Sequence, residues 1–500
     1  MRRSIIAFSV LVASATAGAQ TPAKETPPAP GPLRKFEIPP VQTATLSNGL
    51  KIAVVEKHSL PIVTARIQVD AGAVREPAAK SGVAVLTANI LSEGSRELTG
   101  AEIAERMAKL GAQFGTSANF GSAWVNVTSL PNVFNEAFRI ASATVTEPRF
   151  DAADFTRIRN NQIAGFEQSM SSASGVANRV FVSTVYDPNT PYARLSGGTK
   201  TSLEALTRDD VLNWHKTMYS PANTTVMFVG DITLAAARAL VEGTLGKWTA
   251  AAPTLAKLDN KVRPASATRI ILVDRPGSVQ SSVIVGQGTI GWGTPDYFAM
   301  QAIAQVLGGG FGSRINTNLR EKHGWSYGAF STFNPQLGAG TFYVSSEIRT
   351  NATDSAIAET VREFKRIVQE PVPATEVRDQ LNNVVASFPS SVQTVQGLMA
   401  RLANVVTYSL PTEFYTTYRE KLAAITAEDI ARTGNVLGRY CSELGHCADR
   451  QITPEAGSNY GGCGRRSQDD RGANSGFEHR HSRSLERRRT EAEVGSSSSN

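Results

Sequence analysis

The side chains best equipped for chemistry crowd into one stretch, Leu307-Gly-Gly-Gly-Phe-Gly-Ser-Arg314 followed by Leu319-Arg-Glu-Lys-His-Gly-Trp-Ser-Tyr327. It places two strong hydrogen-bond donors, the guanidinium of Arg320 and the phenol of Tyr327, seven residues apart. The glycine loop Gly308–Gly312 lacks the Lys-Ser/Thr of a phosphate-binding P-loop and does not lead from a strand into a helix, so it reads as a flexible connection. Metal chemistry has little to draw on. The histidines between residues 41 and 440 are His58, His215 and His323, each isolated in sequence, whereas a catalytic zinc needs three converging ligands and an open position. The three cysteines, Cys441, Cys447 and Cys463, all lie at the C-terminal end, and the His446 between the first two fits no common zinc-finger spacing.

A chain of 500 residues exceeds what one hydrophobic core usually serves, and an apolar share of 41% is ample for packed domains. The formal charge of +7 is spread among acidic residues without a long basic run, so a solvated surface is the reading and a nucleic-acid footprint is not. Met1-Arg-Arg-Ser, the apolar run Ile5 to Ala15 and the small residues Ala17-Gly-Ala19 have the three regions of a signal peptide. Residues 1–19 should therefore be removed near Ala19, leaving a periplasmic or secreted chain; the run is too short to span a bilayer and no other segment approaches a span.

The elements that must position Arg320 and Tyr327 come from a duplicated pattern. After the proline-rich tether 20–40, a first half (41–249) opens with an Asn48-Gly49 turn between extended stretches, then Lys51–Glu56 and Ile62–Val69, then a helix-like segment Gly82–Leu91. A second half (269–440) repeats the order with Arg269–Asp274, Ser281–Gly286 and Tyr297–Leu307, after a linker over 250–268. Strands Ala123–Thr128 and Gly340–Ser345 correspond, as do the helix starts at Thr207 and Thr426, each followed by acidic residues that cap a first turn. The expected class is α+β: two similar domains, each a mainly antiparallel sheet with helices packed on it, closing as a clam shell. Phe120–Thr128 and Gly338–Ser346 are candidate sheet edges for peptide capture by strand addition, or else ordinary internal strands.

The Arg320/Tyr327 stretch resembles the second-domain signature of the pitrilysin/insulinase zinc peptidases, and the resemblance covers roughly residues 41–440, closest to the short bacterial two-domain members. Asp70-Ala-Gly-Ala-Val-Arg75, Pro191-Tyr192 with Gly198-Thr199, and Tyr219 to Asp231 agree with it. That family's H-x-x-E-H sets two imidazoles on one helical face with a glutamate as general base. Here Val85, Ala88 and Asn89 stand in those places, and the family's distal glutamate ligand would fall near Ala164 or Gly165, with Glu167 the nearest carboxylate. The resemblance implies that Tyr327 donates to the oxyanion of a tetrahedral intermediate and that Arg320 grips a substrate carbonyl; the plainer alternative is a surface arginine and a strand-edge tyrosine. It implies a chain inactive alone, binding no zinc itself, that lends these two residues to a heterodimeric partner carrying the intact motif, the zinc and the peptidase chemistry. A second implied role is a structural or peptide-binding relative without catalysis.

The correspondence between the halves fails after Tyr440. Tyr219 leads to the apolar strand Thr224-Thr-Val-Met-Phe-Val-Gly-Asp231 and a helical segment to Trp248, whereas Tyr440 leads to a polar tail, 441–500, with nine Arg, nine Asp plus Glu and no Lys. That composition suits disorder and builds no strand. It reads as a shift in reading frame that replaces the last strand and helix, the rival being a natural interaction arm. Translating the gene's other two frames beyond codon 440 should give an apolar run ending in Gly-Asp in one of them; finding none in either leaves the natural arm.

Overall fold

A computed structural model of the chain describes residues 37–258, 261–263 and 268–441, the side chains of 436–441 excepted. The expected signal peptide over 1–19, most of the expected tether over 20–40 and the tail beyond Cys441 lie outside the described residues. The expected class is what the chain adopts, with helices on two sheets, one largely and one wholly antiparallel. Both halves belong to one compact unit.

The first half supplies β1 (Gln42–Thr45), β2 (Lys51–Glu56), β3 (Val63–Val69), β4 (Gln113–Ala118), β5 (Ala123–Ser129) and β6 (Thr224–Gly230), in the order β1-β2-β6-β3-β5-β4. Only β2 and β6 run parallel. The β1–β2 turn works because Gly49 takes φ +87°, open to glycine and costly for other residues. Asn48 then donates to the Leu245 carbonyl at 2.9 Å, tying the turn to a helix end far along the chain. The helices are α1 (Val83–Ile90), α2 (Gly100–Lys109), α3 (Pro131–Thr146), α4 (Ala152–Met170), α5 (Ala173–Val185), α6 (Lys200–Glu204), α7 (Arg208–Met218) and α8 (Leu234–Leu245). As the sequence predicts, Thr207 caps α7: its hydroxyl accepts from the Asp210 N–H at 3.2 Å while the Asp210 carboxylate accepts the Thr207 N–H at 2.9 Å.

The second half supplies β7 (Gln280–Ile290), β8 (Ser326–Asn334) and β9 (Ala339–Arg349), in the order β7-β9-β8. Its helices are α9 (Tyr297–Gly308), α10 (Arg314–Asn316), α11 (Thr353–Gln369), α12 (Ala374–Ser391), α13 (Val395–Thr407), α14 (Tyr418–Ala423) and α15 (Ala427–Cys441). The predicted strand Arg269–Asp274 does not form; its Ile270 and Leu272 are 75% and 84% exposed. In the first half the corresponding β2 is held by β6, and among the described residues no strand follows α15 to do the same. The two candidate sheet edges are also corrected: β5 lies between β3 and β4, and β9 between β7 and β8, so both are internal.

The halves exchange helices. One face of the first sheet, with Val226 and Phe228, packs on Phe134 and Phe138 of α3; the other, with Ala53, Val55, Met227 and Val229, joins the core of the second half beneath α13. Conversely α5 lies on β7, with Phe181 against Tyr343 at 5.3 Å. The Gln68 amide donates to Thr407 at 3.0 Å across the first contact, and the Tyr192 hydroxyl accepts the Leu337 N–H at 3.1 Å between the halves. No helix among the described residues is long and apolar enough to cross a membrane.

The start of α1 is set by Gly82, at φ +98°, and by Glu76, whose buried carboxyl accepts from the N–H groups of Gly82 (3.0 Å) and Ala84 (2.7 Å). Burial pushes this carboxyl up to about 7, outweighing those two donors and the Arg194 charge. The folded chain thus keeps a proton that the unfolded chain releases near 4.5, so this group's contribution is greatest below pH 4.5 and declines as pH rises through about 7. Urea midpoints of the native chain minus those of Glu76→Gln should fall between pH 4.5 and 7; a flat difference contradicts the assignment.

Candidate functional site

Arg320 and Tyr327 are brought together, although nothing in their spacing alone requires it. Arg320 lies in a π-helical turn, Thr317–Lys322, whose end is fixed by the Trp325 N–H donating to the Leu319 carbonyl at 2.9 Å. Such single wide turns recur at functional positions. Tyr327 sits where the β8–β9 ladder slips between Ser326 and Ala329, a bulge that re-aims a side chain. The bulge is held by hydroxyls: Ser326 accepts the Gly328 N–H at 3.1 Å, and Ser346 donates to the Gly328 carbonyl at 2.9 Å.

The guanidinium carbon of Arg320 lies 4.4 Å from the Phe311 ring centre and 5.3 Å from that of Tyr327. Its acidic neighbour is Glu321, at a loose 3.5 Å. Tyr327 is 82% exposed, and Phe311 and Phe330 meet edge-on at 5.6 Å, both exposed. The arrangement is an outward-facing arginine flanked by aromatic rings, with N–H donors and a phenol available to a carbonyl or carboxylate. Phe311 escaped sequence reasoning; an aromatic side chain inside a run of glycines was the available signal.

The glycine loop is pinned, which corrects its reading as a flexible connection. The buried amide of Asn316 donates to the carbonyls of Gly310 (3.0 Å) and Ala329 (2.5 Å), and its oxygen accepts the Ala329 N–H at 2.9 Å. Arg314 forms a two-pronged bond to Glu376 of α12 at 2.7 and 2.8 Å, and Gln380 donates to the Gly312 carbonyl at 3.1 Å. Asn316 is the other residue of this arrangement that sequence reasoning missed.

The positions expected to replace the metal motif lie on α1. Ala88 is fully buried in the first core, while Val85 and Asn89 are half-buried. Neither Val85 nor Ala88 offers a donor atom. α1 packs on α4, yet Glu167 on that helix pairs with Lys200 at 2.6 Å. The histidines stay apart. His58 is exposed beside Asp231 (2.7 Å) and Glu56 (3.3 Å), and the hydrogen bond to Asp231 leads in raising its pKa. His215 donates through Nε2 to the Val145 carbonyl at 2.8 Å and stacks on Tyr219, and burial lowers its pKa. His323 stacks on Trp325 at 4.0 Å. Among the described residues no three His, Cys, Asp or Glu side chains converge as a metal would need. The residues present do not fit a zinc ion.

Two sheets with exchanged helices, a half-buried Arg320 beside an exposed Tyr327, and an apolar α1 describe a peptidase fold without its metal ligands. Residues 51–192 match the family model for insulinase (peptidase family M16), and residues 205–384 match that for the M16 inactive domain. The chain belongs to the M16 peptidase family. A Helicobacter pylori protein named a non-peptidase homolog is 20% identical over 77% of this chain and 88% of its own length. A Schizosaccharomyces pombe protein, described as the probable beta subunit of the mitochondrial-processing peptidase, is 21% identical over 80% and 89%. The crystal structure of a peptidase M16 inactive domain from Pseudomonas fluorescens superposes with a TM-score of 0.73 at 26% identity, covering 80% of this chain and 94% of that one.

Replacing Asn316 with Ala leaves the Ala329 N–H and two carbonyls without their buried partner and should destabilise the chain by about 2 kcal/mol. Urea unfolding monitored by tryptophan fluorescence measures it, and an unchanged midpoint would mean that the amide does not hold the loop.

Proposed function

We propose that this chain is the noncatalytic subunit of a heterodimeric M16 zinc peptidase, lending Arg320 and Tyr327 to the zinc site of a partner that carries the intact motif. The observation that supports this reading is the contrast between the two stretches. Arg320 and Tyr327 stand together on a pinned loop and bulge with Tyr327 exposed, while α1 carries Val85 and Ala88 where a metal would need imidazoles. In the complex the partner supplies metal, water and general base; this chain supplies N–H and O–H donors to the peptide carbonyl as its oxygen gains charge. Donors preorganised at such a position lower the barrier because they need no reorientation when the charge forms. The mature chain acts outside the cytoplasm, in keeping with its signal-peptide pattern.

The second reading, a structural or peptide-binding relative without catalysis, is favoured by the relative named a non-peptidase homolog. A quenched peptide library separates the two. The chain should be silent alone and active, with zinc, when mixed with an intact-motif family member from the same genome. Arg320→Ala or Tyr327→Phe should then lower kcat/KM of the mixture about a hundredfold. Silence of the mixture supports the binding role, and zinc-dependent cleavage by the chain alone contradicts both.

A further inference from the structure

A feature that the Arg/Tyr site does not use is a cavity of about 800 Å³ in the second half, between β7 and the irregular segment 268–275. Val283 and Val285 of β7 line one side and Ile271 and Val273 the other, with Val180 of α5 and Val361 of α11 as walls. The first half shows what such a space is for. There β6 lies between β2 and β3, parallel to one and antiparallel to the other, with Phe228 on one face against α3 and Met227 on the other in the core beneath α13. In the second half every surrounding element has its counterpart: segment 268–275 for β2, β7 for β3, α11 for α3 and α5 for α13. A six-residue strand inside a packed sheet takes up on the order of 10³ Å³, the size of this cavity.

We propose that this slot accepts an uncharged, apolar, extended segment of a partner polypeptide, which enters as an added strand parallel to residues 269–274 and antiparallel to β7. The slot is preformed. Arg269 donates to the Thr184 carbonyl near the end of α5 at 3.3 Å and Arg275 to that of Ser171, between α4 and α5, at 2.5 Å, so the segment is tied at both ends while its Ile270 and Leu272 stay 75% and 84% exposed. β7 is the outermost strand of its sheet among the described residues, and its outward N–H and C=O groups provide the ladder. With α5 on one side and α11 on the other, the occupant must be apolar on both faces, as Thr224-Thr-Val-Met-Phe-Val is. The tail 442–500 contains no three successive apolar residues and supplies no such segment. This site is independent of the proposed catalytic complex.

The test uses the full chain and a fluorescein-labelled peptide, Thr-Thr-Val-Met-Phe-Val-Gly-Asp with a C-terminal lysine tag, followed by anisotropy and hydrogen exchange. Saturable binding is expected, with slowed exchange of the amides of residues 280–286. Ile270 and Leu272 line the slot as well as being exposed, so Ile270→Lys with Leu272→Lys should weaken binding at least tenfold while the thermal midpoint holds. A peptide with proline at its central position should bind at least tenfold more weakly. The proposal is overturned if a folded chain shows no saturable binding, or if the double lysine variant binds as well as the native chain. It is equally overturned if residues 280–286 already exchange slowly without peptide, because a segment of the chain itself would then fill the slot.

Discussion

An interior strand must satisfy its backbone on both edges and its side chains on both faces, and in this chain β6 carries that constraint. Its Val226 and Phe228 face the first core, and its Met227 and Val229 the second, while β2 and β3 take its backbone groups on either side. A residue run polar on one face would leave either α3 or α13 with nothing to cover. The continuous apolar reading of Thr-Val-Met-Phe-Val is the sequence signature of burial on both faces. Through this strand the two halves share apolar packing, so the duplication in sequence becomes one compact unit.

The Arg/Tyr patch depends on a second, more local set of constraints. Asn316 closes the glycine loop onto β8, Arg314 anchors the same loop to Glu376, and the Ser326 and Ser346 hydroxyls hold the bulge that turns Tyr327 outward. Each is a short polar bond made in a part-buried setting, where a lost partner costs more than in water. Their product is a loop and a bulge whose backbone is fixed, from which Tyr327 projects with 82% of its surface exposed. A fixed backbone lowers part of the ordering cost of binding there.

α1 shows the converse. In a metal-bearing relative the helix face would be a polar surface filled by ligands; here Ala88 packs fully inside and Glu76 caps the first turn. The helix remains because its neighbours need an apolar face to pack on, and a fold persists through packing whether or not its site persists.

The halves, most strands, the threonine-capped helices and the family were legible in the chain because they rest on local rules: period-two alternation, Asn-Gly turn chemistry, and Thr with an acidic residue three positions on. The loss of the metal motif was legible too, since Val85 and Ala88 have no donor atom in any fold. Sequence misjudged what depends on neighbours. Arg269–Asp274 has strand-forming residues, yet a strand exists only where another offers a ladder. The internal places of β5 and β9 follow from which strands arrive beside them, and the pinned glycine loop from an asparagine and a glutamate on separate helical elements. That Phe311 flanks Arg320 was likewise decided by tertiary structure, because the pinned glycine loop and the wide turn, not spacing, bring their side chains together.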